Sequence, residues 1–156
     1  MSTCKVVLKI SLSVSFFFLF CFLSCPSYAI ETDATLKRVF LLINNSLTTE
    51  TPELWVHCQS SKGHDIGNRT IPVKDELSTI FLADPPGEPV YTCQFRWDPK
   101  KLDFNVYDKY IDTHCITAEG GVEEEKIPTI SCYWHVVSDG FYMGTKDRIG
   151  EKFHDW

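Results

Sequence analysis

Positive charge is scarce in this 156-residue chain: 15 Lys and Arg stand against 21 Asp and Glu, a formal net charge of −6. Such a surface repels phosphate backbones and anionic lipid, which argues against nucleic-acid or membrane-surface partners. Long apolar runs are missing too. The longest, Ile10 to Leu23, is about fourteen residues, short of the roughly eighteen that span a bilayer. H-E-x-x-H, G-x-S-x-G and glycine-rich phosphate-loop motifs do not occur, so the usual signatures of zinc proteases, α/β-hydrolases and nucleotide enzymes are lacking. The cysteines form no pair of C-x-x-C hooks, which argues against a structural zinc site. No convincing helical periodicity, internal repeat or low-complexity linker occurs.

What is present begins with an export signal. Lys5 and Lys9 supply a positive start, Ile10 to Leu23 an apolar run, and Ser27-Tyr28-Ala29 the small residues a signal peptidase reads. Cleavage is expected after Ala29, leaving residues 30–156 as one domain, since about 127 residues suffice for one core and not for two. No stable membrane insertion is expected once the signal is removed. Losing Lys5 and Lys9 takes the net charge to about −8. Cys4, Cys21 and Cys25 leave with the leader, and the odd cysteine set becomes an even one: Cys58, Cys93, Cys115 and Cys132. In an oxidising compartment such a set pairs. Three pairings are possible; Cys58 with Cys132 and Cys93 with Cys115 are expected, each joining neighbouring elements of a sandwich.

Strand signals dominate the remainder. Val39 to Ile43 is a continuous apolar run that suits burial on both faces. Leu54, Val56 and Cys58 alternate with Trp55, His57 and Gln59, so the period of two turns Cys58 toward the core. Tyr91, Cys93, Phe95 and Trp97 share one face of a strand whose other face carries Thr92, Gln94 and Arg96. Asp98 to Lys101 turns the chain into Leu102, Phe104 and Val106, a hairpin. Ile130 to Val137 is a strand, and Asp139-Gly140 a tight turn into Phe141-Tyr142-Met143. Asp65, Gly67 and Asn68 suit a loop, with short strands expected at Ile71–Val73, held at an edge by Pro72, and at Thr79–Leu82. Residues 147–156 read as a polar tail whose Trp156 either packs back or frays. The expectation is an all-β fold: a small antiparallel sandwich of about eight strands with two disulfides.

Chemistry-bearing residues are few. His57 and His135 lie on strands opposite the cysteine face, while His64, His114 and His154 fall in loops or the tail. With all four cysteines paired, no thiol nucleophile remains. Glu123, Glu124 and Glu125 are three neighbours on one loop, not the oxygen cage calcium prefers. Neither a metal nor a cofactor is implied. Asn44-Asn45-Ser46 and Asn68-Arg69-Thr70 are N-glycosylation acceptors.

These pieces assemble into a pattern. Leu54-Trp55-Val56-His57-Cys58-Gln59-Ser60 followed by Asp65-Ile66-Gly67 resembles the L-x-V-H-C-x-S and D-L-G signature of the plant self-incompatibility S-protein family. Asn44 and Leu47 resemble its early N-x-L element, and residues 92–97 its cysteine strand. Residues 104–108 resemble its F-x-V-Y-D segment, and Cys132-Tyr133-Trp134 with Asp139 to Tyr142 its ending. The resemblance implies a small secreted β-sandwich with two disulfides and no known catalysis. The founding members act as pistil ligands recognised by a receptor on pollen; most homologues have no established role. One departure is the long loop between Cys115 and Cys132, where the family often has only a few residues. Its glutamates 123–125 are a candidate partner-binding element. The expected function is therefore a non-enzymatic extracellular ligand for a cell-surface receptor. The alternatives are a secreted nuclease-type hydrolase using His57 or His135 as base, and a carbohydrate-binding sandwich using exposed aromatics such as Trp55.

Overall fold

The computed structural model describes residues 36–48, 53–117 and 127–156. The leader, its cleavage site and Glu123 to Glu125 lie outside the described residues. Two sheets face each other. The first joins β1 (Lys37–Asn45), β4 (Glu76–Ala83), β7 (Ile116–Thr117), β8 (Thr129–Val137), β9 (Gly140–Thr145) and β10 (Arg148–His154), in the order β10-β9-β8-β1-β4, with β7 also on β8. The second holds β2 (Leu54–Ser60), β3 (Asp65–Ile71), β5 (Tyr91–Trp97) and β6 (Lys100–Tyr107), in the order β3-β2-β5-β6. One helical turn, α1 (Lys109–Asp112), follows β6.

The pattern of two holds on both inner faces. Val39, Leu41 and Ile43 of β1, Leu54, Val56 and Cys58 of β2, and Cys132, Trp134 and Val136 of β8 are all buried. Each large apolar side chain placed there contributes about 1.5–3 kcal/mol. Trp134 occupies the centre and donates its Nε1–H to the Val106 carbonyl at 2.9 Å, tying β8 to β6 across the core. The β5–β6 and β8–β9 hairpins form as expected.

Several expectations are corrected. Ten strands are present among the described residues, not about eight, and β1 runs parallel to β8 within otherwise antiparallel sheets. Val39 to Ile43 is buried on one face only; Phe40 and Leu42 are half-buried on the other. Asp65 and Asn68 lie in β3, which stops before Pro72. The polar C-terminal segment is the edge strand β10, and Trp156 packs back, its Nε1–H donated to the Val137 carbonyl at 2.7 Å.

The cysteines pair differently too. Cys58 bonds Cys93 and Cys115 bonds Cys132. Cys58 and Cys93 stand directly opposite on neighbouring strands of one sheet, Cα atoms 4.1 Å apart, both pointing inward. The first bridge therefore locks β2 to β5 within one sheet, where the expected Cys58–Cys132 pair would have joined β2 to β8 across the two sheets.

Asn45 closes the far end of β1. Fully buried, it donates Nδ2–H to the Ile71 carbonyl at 2.7 Å and accepts the Leu47 N–H at Oδ1 at 3.0 Å. Its backbone bonds Lys74 and Asp75. The buried asparagine preceding Leu47 is thus Asn45; Asn44 points outward and accepts the Ser46 hydroxyl at 2.6 Å.

Candidate functional site

The residues after β6 build a surface with two clefts. Asp108 caps α1, accepting the N–H groups of Tyr110 and Ile111 at Oδ1, both at 2.9 Å, which satisfies donors that a helix start leaves orphaned. Asp112, at the other end, is buried. It accepts the Tyr107 hydroxyl at 2.8 Å and pairs with the Lys37 ammonium at 2.7 Å. The Tyr107 oxygen in turn accepts the Gly87 N–H at 3.3 Å. Burial first, and the Asp112 carboxylate second, push the Tyr107 phenol far above its ordinary pKa, so it stays a neutral donor. Gly87 sits at φ +86°, and a Cβ there would lie 2.3 Å from the Lys109 backbone. Glycine alone lets the proline-rich loop 84–89 approach α1 this closely.

This network ties the turn down at both ends and leaves Tyr110 pointing outward, 63% exposed. The ring is steadied at its base by His114 and Phe153, with centroids 4.5 and 6.2 Å away. A cleft lies on each side. One, of about 350 Å³, is lined by Asn105, Asp108, Glu151, Phe153 and His154. The other, of about 650 Å³, is lined by Pro85, Pro86, Glu88, Val90 and Lys109. An exposed, pre-ordered aromatic between two clefts is the arrangement from which binding hot spots are made. Sequence reasoning passed over Tyr110, Asp112 and Lys37; the F-x-V-Y-D resemblance was the available signal, since its Tyr107 and Asp108 anchor the turn.

The histidines do not converge. His57 is 2.9 Å from Asp65 Oδ1 on the outer face of the second sheet. The Gly67 N–H, and then His57, hold the Asp65 carboxyl below its ordinary pKa, so the pair braces the bulge between β2 and β3. His135 is buried against the Thr145 carbonyl at 2.8 Å, a contact in which its ring nitrogen donates. Burial lowers the pKa of His154, which packs 4.3 Å from Phe104. His64 meets the Tyr91 hydroxyl at 2.8 Å. No group of three or more His, Cys, Asp or Glu side chains among the described residues is placed to hold a metal ion.

Of the other candidates, Asn68 is exposed on the edge strand β3 and Asn44 half-buried on the inner strand β1. Trp55 is half-buried, with the Arg96 guanidinium 5.1 Å above its ring, so one face of the indole is already covered.

The family model for plant self-incompatibility protein S1 matches residues 41–156. S-protein homolog 2 of Arabidopsis thaliana is 30% identical over 115 residues, covering 74% of this chain and 65% of that protein. S-protein homolog 5 of the same plant is 28% identical over 101 residues, covering 65% and 64%. The chain thus spans just under two thirds of the length of these relatives. A solved structure described as a self-incompatibility protein homologue, from "a widespread family of small, highly stable, secreted proteins from plants", superposes with a TM-score of 0.53 at 16% identity. It covers 79% of this chain and 97% of its own, a likeness of fold. On the match over residues 41–156, this chain belongs to the plant self-incompatibility protein S1 family.

Proposed function

We propose that the protein is exported, loses residues 1–29, and acts outside the cell as a non-enzymatic ligand for a cell-surface receptor, with Tyr110 and its flanking clefts as the contact. The observation that carries this reading is the exposed Tyr110, fixed by buried Asp112 and Tyr107 with half-buried Lys37 on a disulfide-locked body. A rigid anchor loses little entropy on binding. The description of related plant proteins as secreted supports the location. Glu123 to Glu125, between β7 and β8, are proposed as a second, acidic contact. A glycan at Asn68 would stand on the outer face of the second sheet, away from the core; Asn44 is the less accessible acceptor.

Labelled protein applied to intact plant cells tests this. Saturable binding that is lost after surface proteolysis supports the receptor reading. Hydrolysis of RNA or glycans that disappears on His57→Ala, with no saturable binding, would replace it with the hydrolase. Retention on a glycan array that survives Tyr110→Ala and fails on Trp55→Ala would replace it with carbohydrate binding.

A further inference from the structure

We infer that a cleft on the outer side of the first sheet, at the end of β1, seats the protein's own N-linked sugar, with Asn44 as the attachment point and an N-acetylhexosamine as the occupant. This rests on the export proposed above, since only an exported chain meets the glycosylation machinery.

The strand register places the cleft. Asn44 pairs with Glu76 of β4 on one side and His135 of β8 on the other, and its side chain alternates with the buried Ile43 and Asn45. Beside it opens a cleft of about 380 Å³, at the small end of the roughly 300–1,000 Å³ of ligand sites. Asn44 begins the triplet Asn44-Asn45-Ser46. Its Oδ1 accepts the Ser46 hydroxyl at 2.6 Å, which leaves Nδ2, the atom that carries a sugar, for the cleft. Half-burial in the fold is no obstacle, because the sugar is joined to the nascent chain. In that step Nδ2 attacks C1 of a glycan carried on a lipid diphosphate. The N–C1 bond forms, the C1–O bond to the diphosphate breaks, and one amide proton ends on the released diphosphate.

The rest of the lining suits a neutral sugar. His135 is 5% exposed, and its Nε2–H goes to the Thr145 carbonyl at 2.8 Å, so in the neutral ring Nδ1 remains an acceptor. No described residue bonds that nitrogen, the Tyr133 hydroxyl, or the ammonium groups of Lys74 and Lys146, all of which border the cleft. The half-buried Tyr133 ring is a flat apolar wall for the C–H face of a pyranose. The two lysines stand against Asp75, Glu76 and Asp147, so there is no net positive field to draw a phosphate. Donors and acceptors side by side match hydroxyl and acetamido groups instead.

Lys74 carries a further sign. Among the described residues it alone, glycines aside, has a left-handed backbone, at φ +68°, a region side chains seldom occupy. Its N–H bonds the Asn45 carbonyl at 2.8 Å, and the Asp75 N–H closes the turn on the Pro72 carbonyl at 3.1 Å. Glycine would sit there without strain. Lysine keeps the strain and brings an ammonium group to the cleft, as strained residues at ligand sites do.

The test uses the Asn68→Gln chain secreted by cultured plant cells, in which Asn44 heads the one remaining acceptor triplet. Mass spectrometry should find Asn44 glycosylated. Trimmed by an endoglycosidase to one N-acetylglucosamine, the protein should melt about 4 °C or more above the same chain made without glycosylation, the worth of one net hydrogen bond in a domain of this size. Tyr133→Ala should abolish that increment with the sugar still attached. Lys74→Gly should at least halve it, and glycine suits φ +68°, so this variant keeps the test sound if alanine at 133 fails to fold. Secretion with Asn44 bare overturns this proposal alone. Retention in the cell with residues 1–29 uncleaved overturns the export reading, and this proposal with it. A single sugar that adds no stability, or an increment that survives both substitutions, also overturns it.

Discussion

Replacing Asn45 by alanine deletes two buried hydrogen bonds at once. The Ile71 carbonyl loses its donor and the Leu47 N–H its acceptor, both where water does not reach. Each stranded backbone group costs about 1–3 kcal/mol, so the variant should lose about 4 kcal/mol from a total about two to three times as large. At about 2.1 cal/mol/K of unfolding entropy per residue, this lowers the melting temperature of the folded unit by roughly 15 °C. Asn44→Ala is the control: half-exposed and bonded to one hydroxyl, it should cost within about 0.5 kcal/mol. Thermal unfolding of unglycosylated protein followed by circular dichroism reads both, free of any sugar at Asn44. Asn45→Asp adds a sign test. It keeps an acceptor for Leu47 but turns a carboxylate toward the Ile71 carbonyl, so its folded pKa rises above the unfolded value of about 3.9. Its penalty is therefore full at neutral pH and shrinks as pH falls through the raised folded pKa, because the protonated acid can donate to Ile71. An alanine at 45 no more damaging than one at 44, or an aspartate variant that weakens relative to wild type on acidification, would refute the reasoning.

Two further expectations concern the staples and a half-buried imidazole. Peptide mapping of native protein should recover Cys58 joined to Cys93 and Cys115 joined to Cys132. Removing the first bridge, a 35-residue separation, should cost up to about 3.8 kcal/mol, and removing the second, of 17, up to about 3.1. Urea unfolding of the Cys58→Ala/Cys93→Ala and Cys115→Ala/Cys132→Ala proteins measures each. His154 has a folded pKa below its unfolded one. The unfolded chain then takes up the proton first, and stability falls as pH drops below about 6.5. His154→Gln should flatten that part of the pH–stability profile relative to wild type.

Strands that keep a clean apolar alternation were legible: residues 54–58 and 91–97 inside the second sheet, and 102–106 at its edge, declare both strand and inward side. The polar edge strands declare neither. β3 carries Asp65, Gly67 and Asn68, residues that ordinarily make turns, and tolerates them because water lies on one side and a bulge at Gly67 accepts φ +77°. β10 is polar for the same reason. The cysteine faces could be read, but not their neighbours, since β5 lies beside β2 although two strands intervene in the chain. The Tyr110 site was hidden more deeply. It depends on Lys37 meeting Asp112 across 75 residues and on loop 84–89 meeting α1, and a four-residue turn is too short to leave a helical period.

In the proposed function Tyr110 anchors recognition. Equilibrium binding of labelled wild-type and Tyr110→Ala protein to receptor-bearing cells tests it, with the melting temperature of each measured alongside. Loss of a hot-spot aromatic should weaken binding by about 2 kcal/mol or more, near thirtyfold, while the exposed position leaves stability almost unchanged. Equal affinity of the two proteins for the same cells would contradict it.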